Sequence, residues 1–86
     1  MPGRTTESSV SFRGPFAIEG VDRTLPAGAY RIVTEEAAID GLSFLVFRRT
    51  STAIIVPIGD ASEEMATIDP QDLEAALERD RLAFPH

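Results

Sequence analysis

Two arginines followed by three hydroxyls, Arg48-Arg49-Thr50-Ser51-Thr52, form the local basic cluster of this chain. Guanidiniums hold phosphate or carboxylate oxygens through paired N–H donors, and neighbouring hydroxyls add more, so Arg48 and Arg49 are candidate anion contacts. The plain alternative is a solvated hairpin tip whose charges blunt an edge. Strand alternation also sends the two arginines to opposite faces, which works against a shared site. Tyr30, the single tyrosine, is a candidate for stacking a ligand, although an aromatic inside a period-two strand is ordinarily core.

The remaining chemistry-bearing residues are few. Asp60, Glu63, Glu64 and Asp69 offer carboxylates to a hard cation but lack the Asp-x-Asp-x-Asp-Gly order of a calcium loop. Glu35-Glu36 would point to opposite faces if extended, and reads as solvated charge. There is no cysteine, no lysine, and one histidine, at position 86. A nucleophilic triad therefore has no base to use, and catalysis by paired carboxylates wants a cleft that so small a domain rarely forms. The expectation is a protein that is not an enzyme and uses no metal or cofactor.

Composition narrows the partners. Fourteen acids against eight arginines give a net charge of −6, which disfavours nucleic acid because phosphate binding needs a basic face. No window approaches the roughly 20 apolar residues of a membrane span, and the start Met1-Pro2-Gly3-Arg4 has no apolar run behind its arginine. With no cysteine, the expected compartment is a reducing one, the cytoplasm. The 43% hydrophobic and 26% charged content is that of a folded domain, here one of 86 residues.

Several elements must position these residues. Residues 1–9 are polar and read as a flexible N-terminal segment, leaving 10–86 as a single domain. Val10 and Phe12 alternate with polar neighbours, Gly14-Pro15 punctuates, and Phe16 and Ile18 resume the pattern, giving two short strand pieces or one strand with a kink. Leu25-Pro26-Ala27-Gly28 reads as a tight turn that launches the strand Ala29-Tyr30-Arg31-Ile32-Val33, with Tyr30 and Ile32 on its core side. Residues 34–41, ending in Asp40-Gly41, read as a loop.

Leu42 to Arg48 and Thr52 to Ile58 are the most apolar runs, and Arg49-Thr50-Ser51 between them predicts a hairpin. Apolar residues on both faces of each run call for a sheet covered on both sides. Gly59 to Thr67 is acidic, and a short edge strand is predicted over Met65–Ile68. Asp69-Pro70-Gln71-Asp72 combines an N-cap acid, a proline at the first helical position and an acid in the first turn, predicting a helix to about Arg81. Ile68 and Leu73 have the spacing of a hydrophobic staple, and Leu73, Ala76 and Leu77 make a narrow apolar stripe. Leu82, Ala83 and Phe84 are expected to pack back.

Strands followed by one helix argue an α+β fold: a small curled antiparallel sheet of four to six strands, open or barrel-like, with one C-terminal helix. Phe16 to Gly20, Leu25 to Ile32, Thr34-Glu35-Glu36 and Phe47 to Thr50 together resemble a family of short proteobacterial proteins of unassigned function. That resemblance implies no activity and no site residues. The leading functional expectation is a protein-interaction or self-association module, pairing with itself as a dimer or with another protein, because one narrow helix leaves a sheet face bare. The alternative is a small-molecule or anion-binding domain near Tyr30, Arg48 and Arg49.

Overall fold

The computed structural model describes residues 3–40 and 45–85. Four strands, β1 (Gly3–Phe12), β2 (Gly28–Asp40), β3 (Leu45–Ile58) and β4 (Ser62–Ile68), precede one helix, α1 (Pro70–Ala83). The strands pair antiparallel in the order β1-β2-β3-β4, an α+β arrangement whose sheet stays open instead of closing into a barrel.

Cross-strand register assigns each residue to a face. Tyr30 and Ile32 lie opposite Val10 and Ser8 on β1, and Ile32 lies opposite Ile54 and so in line with Ala66. Phe12, Tyr30, Ile32, Ile54, Val56, Ala66 and Ile68 fill the core from this face. Leu73 and Ala76 of α1 meet them from above, together with Phe16, Ile18 and Leu25 from the excursion between β1 and β2. Three aromatic rings anchor the layer: Phe12 stacks on Phe16 and Tyr30 meets both edge-on, its centroid 5.3 Å from that of Phe16.

The excursion folds on itself before covering the sheet. Phe16 and Leu25 exchange two backbone hydrogen bonds of 2.9 and 2.8 Å, and the Val21 N–H donates to the Ile18 carbonyl. Gly20 takes φ of 103° at this turn, where an added Cβ would lie 2.6 Å from the Thr67 carbonyl oxygen. Only glycine meets both demands, left-handed backbone and close approach to β4.

The helix begins as its cap residues dictate. The Asp69 carboxylate accepts from the Gln71 N–H at 2.7 Å and Pro70 occupies the first turn, where its missing N–H is no loss. Ile68 and Leu73 both enter the core, consistent with the staple spacing. The Phe84 ring lies against Gly14, where a Cβ would come within 2.2 Å of it, whereas Leu82 is exposed.

Three local expectations are corrected. The segment read as a frayed terminus forms most of β1, with Gly3–Ser9 opposite Ala37–Arg31. An edge strand of threonine and serine holds by its backbone ladder, and its exposed side chains leave no apolar signature. Residues 34–40, read as loop, continue β2, while Gly41 lies outside the described residues. The expected hairpin tip Arg49-Thr50-Ser51 instead lies inside β3, which runs unbroken from Leu45 to Ile58, with Leu42 to Phe44 outside the described residues. Thr50 is the extra residue of a bulge there: Glu35 pairs with Ser51 and Glu36 with Arg49. Its hydroxyl donates to the Glu35 carbonyl at 3.1 Å.

Candidate interaction surface

Tyr30 is set into the core. Its ring is 7% exposed and its hydroxyl donates to the Pro26 carbonyl at 2.5 Å, so the phenol's polar end is already satisfied. Burial raises the pKa of this phenol above its ordinary value. Arg48 and Arg49 pair across the ladder with Ala37 and Glu36, seven and six residues along β2 from Tyr30. At about 3.3 Å per residue they stand roughly 20 Å away. A shared pocket of Tyr30 with the arginine pair is therefore not formed. The two arginines are exposed, and register sets them on opposite faces of the sheet.

The acids are dispersed as well. Glu63 and Glu64 lie on opposite faces of β4, and Asp69 caps α1. Among the described residues no three acidic or histidine side chains gather closely enough to hold a metal ion.

What the fold does assemble is an uncovered sheet face. The excursion and α1 both sit on the Tyr30 side, so the reverse face has no second layer among the described residues. Register places Val33 beside Ala53 and Ile55 beside Met65 there. Val33 and Ala53 are screened by their neighbours, Ile55 is half-buried, and Met65 is 58% exposed. Ile55 and Met65 thus supply the accessible part of a small apolar patch between charges.

Arg31 organises the rim. Its guanidinium donates to the Glu63 carboxylate at 2.8 Å and stands 3.9 Å from that of Glu7, reaching from β2 toward both sheet edges. Beside it, Ala29, Ile55 and Pro57 line a shallow depression of about 370 Å³. An apolar centre with a charged border has the anatomy of a protein interface. The four strands, 10, 13, 14 and 7 residues long, at about 3.3 Å per residue and about 4.8 Å apart, give a projected face on the order of 700 Å². That is close to the ~800 Å² that each partner contributes to a stable complex.

On the covered face the character of the strands changes with distance from the core. The apolar rows end at a row of threonines, Thr6, Thr34 and Thr52, followed by a charged row, Arg4, Glu36 and Arg49. Arg4 Nε donates to Glu36 at 2.6 Å, and beyond that row the sheet narrows to an arm of β2 and β3, with Gly3 as the last residue of β1 beside it. Thr52 is buried at the boundary with its hydroxyl oxygen unpartnered.

One buried acid escaped the sequence reading. Asp80, on the inner face of α1 and 8% exposed, accepts from the Arg13 N–H at 2.9 and 3.1 Å and from the Gly14 N–H at 3.0 Å. It is a clasp between helix and excursion. The residues Leu73, Ala76, Leu77 and Asp80 share the i, i+3, i+4, i+7 spacing of one helical face, so an acid in the fourth place of an apolar stripe was its signal.

Comparison of the chain with protein-family models, curated proteins and solved structures finds no match. No described helix is long and apolar enough to cross a membrane.

Proposed function

We propose that this chain is a non-enzymatic self-association module, which pairs with a second copy through the sheet face that its own helix leaves uncovered. The observation that carries the reading is one-sided layering. Every second-layer element among the described residues packs on the Tyr30 face, while Val33, Ala53, Ile55 and Met65 stand on the other behind a border of Glu7, Arg31 and Glu63. A sheet with apolar side chains on both faces gains by burying the second, and a two-fold pair buries the same patch on both copies at once. Two such sheets, about 10 Å apart, would form a sandwich core.

Size-exclusion chromatography with light scattering tests this. The expected mass is twice that of the 9.3 kDa chain. Replacing Ile55→Glu together with Met65→Glu should give a folded monomer, because both side chains project from the sheet face that the helix does not cover. A wild-type protein that stays monomeric at high micromolar concentration overturns the proposal.

A further inference from the structure

A separate surface lies at the edge of the arm. β4 pairs with β3 only over Thr52–Ile58, because Asp69 caps the helix and Pro70 turns the chain away directly after Ile68. Along the outer edge of Leu45–Ser51 no strand lies among the described residues. A strand edge of this kind presents unpaired N–H and C=O groups to any extended chain.

Charge indicates which chain fits. Six of the eight arginines are engaged within the molecule, as Arg31 is with Glu63 and Arg79 with the Ala17 carbonyl. Arg48 and Arg49 make no such contact among the described residues, and both are exposed on this edge strand. We propose that the Leu45–Ser51 edge takes up an extended acidic peptide segment as an added strand, carboxylates on two successive residues pairing with Arg48 on one face and Arg49 on the other.

The alternation that separates the arginines for a small anion suits them to a strand, whose successive side chains also point to opposite faces. Opposite charges across a strand pair stabilise it and like charges destabilise it. A second copy added edge to edge, centred on Arg48 or Arg49, would set identical arginines against each other. Two guanidiniums on opposite faces of a strand do not trace a phosphate backbone either. An acidic strand satisfies the backbone edge and both charges together.

The test is a fluorescence anisotropy titration of the full chain with the labelled peptide Thr-Val-Glu-Glu-Val-Thr-Val, with Thr-Val-Lys-Lys-Val-Thr-Val as control. The acidic peptide should bind saturably, more weakly in salt, and on the order of tenfold more weakly to the Arg48→Gln, Arg49→Gln variant. Hydrogen exchange should slow along Leu45–Ser51 in the complex. Ile55→Glu with Met65→Glu should leave peptide binding intact, so failure here and failure of the dimer are read separately. Equal binding of the lysine peptide, unchanged affinity in the arginine variant, protection at another edge, or tighter binding of a single-stranded oligonucleotide overturns the proposal. So does an acidic peptide that fails to bind at millimolar concentration.

Discussion

Replacing Asp80 by alanine removes a buried carboxylate that joins α1 to the excursion between β1 and β2. In the native structure its carboxylate accepts from two backbone N–H groups, those of Arg13 and Gly14, at 2.9 to 3.1 Å. Hydrogen bonds to a charged acceptor contribute about 1.5–3 kcal/mol each, and a donor left unsatisfied out of water costs about 1–3 kcal/mol. The Gly14 contact is buried and that of Arg13 half-buried, so the expected loss for Asp80→Ala is about 3 kcal/mol. A domain of 86 residues has a total stability of roughly 4–13 kcal/mol, so this is a large fraction of it. Asp80→Asn keeps an acceptor oxygen but turns an amide donor toward the second N–H, and about half the loss is expected. Urea unfolding followed by circular dichroism measures both variants. The melting temperature of the alanine variant should fall by roughly 10–20 °C. An alanine variant within about 0.5 kcal/mol of wild type would refute the assignment of Asp80 as a clasp.

Two further outcomes follow from single side chains. The Thr52 hydroxyl is buried without a partner, so Thr52→Val should leave stability unchanged or raise it by up to about 1 kcal/mol in the same unfolding assay. Tyr30 ionises at a higher pH in the folded chain than in the unfolded one. Its contribution is therefore complete below the ordinary phenol value of about 10 and is lost as pH rises toward the folded value, since the unfolded chain releases the proton first. Urea midpoints should accordingly decline above that pH with a slope that Tyr30→Phe removes, and phenolate absorbance reports the titration because no other tyrosine is present.

The parts of the fold with local chemical punctuation were legible. Asp69-Pro70 marks the helix start without reference to anything distant, and the alternation of Tyr30 with Ile32 and of Ile54 with Val56 marks core faces. Strand continuity was harder. Arg48 to Thr52 looked like a tip because it is polar, yet it holds none of the Gly, Pro, Asn or Asp that turns demand, and β-branched Thr50 and Thr52 suit a strand. The first half of β1 carries almost no signal, because an exposed edge strand is specified by its neighbour's backbone. For the candidate site, the bare sheet face was legible in outline from apolar residues at both parities of Ala53 to Val56. The charged border was not, since Glu7, Arg31 and Glu63 come together only through register. Asp80 was hidden by its type: an acid on a helix reads as solvated until the two N–H groups it serves are placed beside it.

The order of elements also bears on how the chain is made. All four strands precede α1, yet Leu73, Ala76 and Asp80 of α1 complete the core and clasp Arg13 and Gly14, more than 60 residues earlier. During synthesis at about 5–20 residues per second, the Tyr30 face of the growing sheet has no helix to cover it until the helix emerges. A nascent meander with two open edges and a wet core face is the form most prone to pair with its neighbours on the same message. The last helix thus acts as a timer, and sequence changes that slow its emergence would reduce yield without altering the finished fold.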